Sequence, residues 1–472
     1  MAGRKRGRRV LVMIVLFVFL LNYLAFFTPS AIKPARAANP TIEQQISIIN
    51  DISNTISSNS YGPTDNSLGL ILWDSTLFTG ATVYFEASIF CESACTGPTK
   101  TVYAALFNSS GSQVTGSEVT TTSTSTARVR SAAITANLTD NTAYTVQVKV
   151  DSGGTGRIRG GRLVVVQTST TAILKTLNIV SVGKNVAVSA TSDTQLTQKK
   201  IYRYNSAGFN PAPTIYFEAT MNAGASGTIT ASLYTDGGTC TSQVTSSAVT
   251  VSTTRVTRVR SSAITLVNGT EYMVCVIRTT ADGNIRNAQI ILEQSSATGI
   301  TALETLSMIS PDLETTTSAS YANTSVTNGY TPANWAAGTF AYLYYATMKS
   351  SAGNAFAILE NRTAVDNIDT PTTTELSTAS TSYVLLRSAD VSGNSDWPSS
   401  AVNLLNNIKN DGGGTTSVSG TWLVIQVSSL QTPEYLVWFF PLALFLPVLI
   451  KWFKLRQMKK GFIWKNKSVY AL

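Results

Sequence analysis

One unit of about 130 residues occurs three times in this chain, and it constrains the fold more than any other feature. The copies open with TVYFEA at 82–87, TIYFEAT at 214–220 and YLYYATM at 342–348. Each then carries a second related segment: ARVRSAAIT at 127–135, TRVRSSAIT at 257–265 and VLLRSADV at 384–391. They close with GRLVVVQTS at 161–169, AQIILEQSS at 288–296 and TWLVIQVSS at 421–429. This period is the size of an ordinary domain, so three related domains are predicted.

Apolar and polar residues alternate in short runs, as in TAYTVQVKV at 142–150 and TEYMVCVI at 270–277. Such runs are typical of half-buried β-strands, and the Gly, Asn, Asp and Ser clusters between them are typical of turns. The sequence predicts an all-β protein with three tandem antiparallel β-sandwich domains of the jelly-roll kind, at 42–169, 170–296 and 297–429. Only 41–57 and 401–410 have some helical character.

The first 37 residues have the three parts of a secretory signal peptide. Five basic residues between Arg4 and Arg9 precede an apolar run, and the segment ends on the A-x-A cleavage site Ala35-Arg36-Ala37. Export with cleavage after Ala37 is therefore predicted. An uncleaved anchor is the alternative, because the apolar run is nearly long enough to cross a bilayer.

The other end has the reverse order of charge. The apolar stretch at 435–453 is long enough to cross about 30 Å of hydrocarbon, and seven Lys and Arg residues follow at 451–472 without an acid. Basic residues favour the cytoplasmic side. We therefore expect a transmembrane helix at 435–453, a cytoplasmic tail at 454–472 and the repeats outside the cell. A buried core helix is the alternative.

Pro433-Glu434-Tyr435, the apolar stretch and the basic cluster together resemble the PEP-type C-terminal sorting signals of exosortase and archaeosortase substrates. The resemblance implies a sorting or anchor segment at the surface of a prokaryotic cell. The tail would remain cytoplasmic unless a sorting enzyme removes it.

The net charge of +9 is concentrated at the two ends of the chain. Of the 35 Lys and Arg residues, fourteen lie at 1–37 and 451–472, so 21 remain against 26 acidic residues between them. The part between the ends therefore carries a net charge of −5. Such a charge gives no electrostatic basis for binding nucleic acid, and none is predicted as a partner.

Four cysteines in an exported chain predict two disulfides. Cys91 and Cys95 lie in one loop of the first repeat, and Cys240 and Cys275 lie in the second repeat. We expect these two pairs to bond within their repeats. A metal site is the alternative, but the chain has no histidine and the pairs belong to different repeats. No metal or cofactor is predicted.

The opening strand of each repeat has one face that stays apolar and an outward face that changes in a paired way. Two repeats place a Glu and an Arg where the third has neither charge: Glu86 with Arg128, Glu218 with Arg258, then Tyr345 with Leu385. The joint change predicts that the two strands are neighbours and that the residues pair across them. Another arginine occurs in every repeat and is interpreted as structural: Arg130, Arg260 and Arg387.

The absence of histidine excludes Ser-His-Asp and Cys-His catalysis. No Gly-rich phosphate loop is present. Glycoside hydrolysis needs only two carboxylates. The best acidic positions, Glu86 and Glu218, are however repeated strand residues with an arginine partner. The sequence therefore predicts a protein that is not an enzyme, and a glycoside hydrolase is the enzymatic alternative.

Aromatic residues with a polar neighbour are the candidates for ligand binding, since β-sandwich modules bind sugars by stacking rings on them. Three occupy roughly matching places before the opening strands: Trp73, Tyr204 and Trp335. Trp397 lies in a loop that is unique to the third repeat and is the best candidate from a single copy. The alternative is that these rings fill the sandwich cores beside a turn.

The repeats at 42–429 resemble the carbohydrate-binding and jelly-roll repeats of prokaryotic surface proteins. With the two ends, this implies a non-catalytic surface protein anchored in the cytoplasmic membrane, acting in adhesion, envelope structure or as a stalk. Its expected partners are the membrane and surface glycans or other cell-surface proteins. An array of glycan-binding modules is the alternative, and exposed rings would favour it over the structural function.

Overall fold

The computed structural model describes residues 41–49, 54–63, 71–93, 100–168, 172–178, 186–196, 199–296, 299–310, 313–335 and 339–428. The predicted signal peptide, the segment 435–453 and the basic tail lie outside these residues, as does Cys95. No helix among the described residues is long and apolar enough to cross a membrane. All of the described residues belong to one unit, residues 40–430.

The described residues form thirty strands, ten in each repeat, and the prediction of an all-β protein is confirmed. Repeat 1 contains β1 Ile42–Ile49, β2 Asn54–Ile56, β3 Gly62–Pro63, β4 Ile71–Trp73, β5 Ala81–Ser93, β6 Val102–Asn108, β7 Val119–Thr121, β8 Ala127–Ala133, β9 Thr142–Val150 and β10 Thr155–Gln167. Repeat 2 contains β11 Ala172–Asn178, β12 Val186–Val188, β13 Thr194–Gln195, β14 Tyr202–Arg203, β15 Thr214–Asn222, β16 Ile229–Thr235, β17 Val249–Val251, β18 Thr257–Arg260, β19 Glu271–Arg278 and β20 Gly283–Ser295.

Repeat 3 contains β21 Ala302–Ser310, β22 Glu314–Thr316, β23 Ala322–Tyr330, β24 Thr339–Ser350, β25 Ala355–Asn361, β26 Asp366–Asn367, β27 Leu376–Thr378, β28 Val384–Arg387, β29 Val402–Asn410 and β30 Thr416–Ser428. The described helical elements are short 3₁₀ turns at Ser75–Leu77, Thr135–Asn137, Ser206–Gly208 and Pro332–Asn334. The helical character expected at 41–57 and 401–410 was wrong, because β1 and β29 occupy most of these stretches.

Each repeat is built from two antiparallel sheets. One, which we call the junction sheet, has the order β1-β10-β5-β8 in repeat 1, β11-β20-β15-β18 in repeat 2 and β21-β30-β24-β28 in repeat 3. The other, the outer sheet, has the order β3-β9-β6-β7, β13-β19-β16-β17 and β23-β29-β25-β26. The two sheets of a repeat share one hydrophobic core. The three repeats thus have the same fold, as their related sequences predict.

The six sheets are arranged as a ring that resembles a six-bladed propeller, and the expectation of three sandwiches in a tandem row was wrong. The first strands of the three repeats meet at the centre, where Ile42, Ile173 and Leu303 lie in a single buried cluster. The physical reason is that each junction sheet is apolar or paired on both faces. It therefore packs against its own outer sheet on one side and against a neighbouring repeat on the other.

Each repeat adds side chains to the core of another repeat. Tyr216 and Ile291 of repeat 2 pack on the core of repeat 1. Leu343 and Trp422 of repeat 3 pack on the core of repeat 2. Ile42 of repeat 1 closes the ring by packing in the core of repeat 3. We call the contact between two repeats a seam. The chain crosses the seams between repeats 1 and 2 and between repeats 2 and 3, and non-covalent contacts hold the seam between repeats 3 and 1.

A buried glutamine binds a backbone carbonyl at each of the two places where the chain passes from one repeat to the next, which we call the crossings. The Nε2 atom of Gln167 donates to the carbonyl of Ala172 at 2.8 Å, just after the first crossing. The Nε2 atom of Gln294 donates to the carbonyl of Ala302 at 3.1 Å, just after the second. The equivalent position in repeat 3 is Val427, which is buried in the core of that repeat.

The predicted disulfide between Cys240 and Cys275 is confirmed. It joins a loop of repeat 2 to β19 on the face of the outer sheet, beside the buried Tyr234 and Met273. Cys91 is also disulfide-bonded. Its predicted partner, Cys95, lies outside the described residues, so that pairing remains a prediction.

Candidate functional site

The three aromatic residues proposed from matching positions are buried in the cores. Trp73 is 2% exposed, Tyr204 6% and Trp335 6%. The ring of Trp73 stacks on Phe78 with centroids 4.9 Å apart. Rings enclosed in this way have no free face for a sugar. The structure therefore corrects the interpretation of these residues as a binding platform and agrees with the alternative of core-filling rings.

The structure also changes which aromatic residue of repeat 3 is equivalent to Trp73 and Tyr204. Trp73 and Tyr204 each stand two residues before a 3₁₀ turn, at Ser75–Leu77 and Ser206–Gly208. In repeat 3 the residue in that place is Tyr330, because its turn is Pro332–Asn334. Trp335 follows the turn and corresponds to Phe78. The aromatic residue that precedes the turn is thus a feature of the fold in all three repeats.

Trp397, the single-copy candidate, is half-buried and packs on the core of repeat 3. Its ring stacks on Tyr342 with centroids 4.4 Å apart, and its Nε1 donates to the hydroxyl of Tyr330 at 3.3 Å. Tyr330 in turn donates to the hydroxyl of Tyr342 at 3.0 Å. One face of the Trp397 ring and its Nε1 atom are therefore occupied by contacts with these tyrosines. The ring mainly covers the edge of the hydrophobic core of repeat 3.

Glu86 is the centre of a buried ionic cluster on the junction sheet of repeat 1. Its side chain is 0% exposed, and Arg128 Nη1 and Arg130 Nε lie 2.6 Å and 3.0 Å from its Oε2. Arg162 Nε lies 3.3 Å from Oε1. Burial alone would raise the pKa of Glu86, but the charges of Arg162, Arg128 and Arg130 outweigh it and hold the pKa below its usual range.

The predicted pairing across neighbouring strands is therefore confirmed for Glu86 with Arg128, and the equivalent Arg258 contacts Glu218 in repeat 2. The exact cross-strand partner of Glu86 is Arg130, and Arg128 reaches it diagonally. These glutamates point away from the core of their own repeat, but they are not exposed to water. Glu86 and Glu218 are both buried, because the face that carries them is covered in the ring.

Contacts of this cluster with repeat 3 close the ring. Arg128 Nε donates to Asn403 Oδ1 at 2.9 Å, and Gln45 donates to the carbonyl of Gly329 at 3.2 Å. A Cβ atom at Gly329 would lie 2.0 Å from Arg128 Nη1, so any other residue there would require this guanidinium to move. Asn334 donates to the buried Glu43. Charged and amide groups thus bind repeat 1 to repeat 3, in addition to the apolar packing of Ile42.

The same three positions have a different chemistry in repeat 3. Glu86, Arg128 and Arg162 correspond in strand register to Tyr345, Leu385 and Trp422. This apolar set packs against the core of repeat 2. The joint loss of charge in repeat 3 therefore reflects a different kind of contact between neighbouring repeats. The seam between repeats 2 and 3 is packed by apolar side chains at these positions. The conserved arginines keep local partners, with Arg260 beside Glu218 and Arg387 hydrogen-bonded to Tyr345.

A surface feature that the sequence analysis missed lies on the outer sheet of repeat 1. The ammonium of Lys149 stands 4.4 Å from the ring centroid of Tyr61 and 4.5 Å from that of Tyr103. Tyr61 donates to the exposed Glu118 at 2.5 Å. The two rings and the lysine side chain lie side by side across neighbouring strands and are all half-buried. Favourable cation–π contacts of this kind hold the lysine flat against the sheet.

Repeat 3 has the same arrangement. Lys409 stands 4.3 Å from the centroid of Tyr321 and 4.5 Å from that of Phe356, and Tyr321 donates to Glu375. The corresponding position in repeat 2 is Ile277, opposite Thr230. We call these two clusters the lysine patches. A comparison of alternate residues in the matched strands would have revealed them in the sequence, since aromatic–Lys–aromatic recurs in two repeats of three.

The described residues contain no group of three or more Cys, Asp or Glu side chains that could hold a metal ion. The acids considered for hydrolysis, Glu86 and Glu218, are each held by two or more guanidinium groups inside a seam. Neither carboxylate is placed to meet a substrate, which would have to enter the packed junction.

No protein-family model and no curated protein matches this sequence. Among solved structures, the chain is similar to N-glycanase F (PNGase F) at 8% identity, covering 54% of this chain and 96% of that one with a TM-score of 0.20. It is similar to the infectious bursal disease virus VP2 subviral particle at 8% identity, covering 84% and 82% with a TM-score of 0.19.

A third similar structure is the N-terminal CBM22-1-CBM22-2 tandem domain from Paenibacillus barcinonensis Xyn10C. The identity is 9%, the coverage 55% of this chain and 92% of that one, and the TM-score 0.17. Likenesses with TM-scores this low carry no argument about function. The function must therefore be argued from the residues of this chain.

Proposed function

We propose that this chain is a non-catalytic protein of the cell surface, exported by its N-terminal segment and anchored in the cytoplasmic membrane by residues 435–453. Its ring of three repeats serves as a rigid unit in adhesion or envelope structure, or as a stalk. The charge order of the two chain ends supports this topology.

The observation that carries the proposal is the closure of the ring. Every repeat packs side chains into the core of another, so the three repeats cannot move as separate domains without exposing apolar surface and the charges around Glu86. Enzymes that close on a substrate need a mobile element or a cleft. A ring held on all three sides is instead suited to bearing load or spacing a partner from the membrane.

The experiment that tests the topology treats intact cells with an external protease. The proposal expects the repeats to be degraded while a tag at Leu472 survives. A tag digested from outside would overturn the anchor. A hydrolase screen of the purified repeats should give no glycan cleavage, and cleavage that depends on Glu86 or Glu218 would overturn the non-catalytic assignment.

Glycan binding is the second candidate, and the lysine patches are the observation that favours it. They present half-exposed rings beside a lysine and a carboxylate on the surface of two repeats, which is the combination of apolar and hydrogen-bonding contacts that sugars use. A glycan array probed with residues 38–430 tests it. Binding that Tyr103→Ala and Phe356→Ala each weaken would support this candidate, and no binding would leave the structural function alone.

A further inference from the structure

A small cavity lies in the seam between repeats 2 and 3. Ile201, Tyr202 and Arg203 line it from repeat 2, and Glu304, Tyr345 and Trp422 are among the residues that line it from repeat 3. Its volume is about 10 Å³. The cavity is separate from the ionic cluster around Glu86 and from the lysine patches.

Two of the residues that line this cavity each carry a polar atom that lacks a hydrogen-bond partner within the described protein: Tyr202 Oη and Trp422 Nε1. The two residues are only 4% and 3% exposed. A buried donor without a partner costs more than the average hydrogen bond contributes, so native structures almost always satisfy it. Two such residues in the lining of one cavity indicate that the cavity holds a hydrogen-bonding partner for them.

The positions equivalent to Trp422 strengthen this argument. Arg162 and Gln289 stand there in repeats 1 and 2, and each contacts a glutamate directly: Glu86 and Glu218. Repeat 3 has Tyr345 in place of that glutamate. The indole N–H has therefore lost the acceptor that the other two repeats provide.

Size and chemistry decide what the occupant is. A space of 10 Å³ is close to the minimum that holds one water molecule, and it is far too small for a sugar ring. The occupant must accept from Trp422 Nε1, which can only donate. Burial, with the nearby Glu304 carboxylate, raises the pKa of Tyr202, so the phenol remains protonated and can either donate or accept.

We propose that a single ordered water molecule binds in this cavity, accepts from the indole of Trp422 and hydrogen-bonds the hydroxyl of Tyr202. The water takes the place of the glutamate oxygen in the other two repeats and joins repeats 2 and 3. It provides Tyr202 Oη and Trp422 Nε1 with the hydrogen-bond partner that they lack within the described protein.

The test combines one substitution with a crystal structure of the repeats. Tyr202→Phe removes the hydroxyl and nothing else. With the water present, the variant should lower the Tm by about 1–2 °C, because the water loses a partner. With a dry cavity, removing an unsatisfied hydroxyl should leave the Tm unchanged or raise it. Tyr103→Phe, on the outer sheet, is the matched control and should not shift the Tm.

The crystal structure should show one isolated density peak within hydrogen-bond distance of both Tyr202 Oη and Trp422 Nε1, and the peak should weaken in Tyr202→Phe. An unchanged or raised Tm would overturn the proposal. So would an empty cavity, a larger bound molecule, or a direct hydrogen bond between the two side chains.

Discussion

The guanidinium of Arg128 lies 2.6 Å from the carboxylate of Glu86, on the face of the junction sheet that an isolated sandwich would leave to water. The same side chain donates to Asn403, 275 positions further along the chain. One arginine thus neutralises a buried acid of the first repeat and binds the last repeat. Contacts of this kind explain how a chain with few charges uses them to close its ring.

Glu86→Gln should destabilise the protein strongly. The substitution leaves three guanidinium groups in a buried seam without their shared counter-charge, and breaking buried ion pairs in this way costs about 3–5 kcal/mol. Urea unfolding at pH 7 measures it. Glu118→Gln, on the exposed side of the outer sheet, is the control and should have little effect. A Glu86→Gln variant as stable as this control would show that the seam is solvated.

The two buried acids of this seam should respond to pH in opposite directions. The pKa of Glu86 is lowered, so its contribution is present above the unfolded-state pKa and is lost as the pH falls through the folded value. Burial raises the pKa of Glu43 despite the charge of Arg130, so its contribution is present at low pH and is lost as the pH rises through the raised value.

The penalty of Glu86→Gln should therefore shrink as the pH is lowered below about 4.5. Glu43→Gln should cost little at pH 7, because it removes a carboxylate that burial disfavours, and its effect should become less favourable relative to wild type as the pH is lowered. Thermal unfolding of both variants between pH 3 and pH 7 would separate them. Parallel pH profiles for the two variants would contradict this assignment of the charges.

Trp397→Ala should reduce stability by about 2–3 kcal/mol, somewhat less than for a fully buried tryptophan. The ring stacks on Tyr342 and bonds Tyr330, so its removal opens the edge of the core. Trp397→Phe should retain most of the stacking and serve as the control. A glycan array run on both variants completes the test, and loss of binding without loss of stability would restore Trp397 as a ligand site.

Gln167→Val should be destabilising by about 1–3 kcal/mol, because the carbonyl of Ala172 loses its buried donor. Gln294→Val should behave in the same way at the second crossing. The cost is measured by urea unfolding. If a valine at 167 is as well tolerated as the natural Val427, the glutamines do not cap the crossings.

The strands and the Glu86–Arg128 pair could be predicted because both are local patterns. Alternation across 142–150 gives β9 its buried Tyr144, Val146, Val148 and Val150. A joint change between repeats indicates neighbours even without a structure. Both patterns indicate which residues share a face of a sheet, and the structure shows the same arrangement.

The ring could not be predicted from the same patterns. A Glu–Arg pair on a strand has the same sequence whether it meets water or another repeat. The strand β1 lost its alternation because one face lies in the core and the other meets neighbouring repeats, so nearly every residue is buried. Such a strand has no period of two in its sequence, so 41–57 was not predicted as a strand. Trp397 was ambiguous for a similar reason, because an aromatic residue in a loop can face either side.

The polypeptide makes only two of the three crossings around its ring, and Ile42 and Val427 lie together in one apolar cluster where the third would be. The position of the chain break within the ring is therefore incidental to the architecture. A circular permutant of residues 41–428 would begin at Ala172, join residue 428 to residue 41 with a short peptide and end at Gln167. We expect it to form the same ring. In that permutant Gln167 and Gln294 should keep their functions, because the carbonyls of Ala172 and Ala302 that they bind are still present.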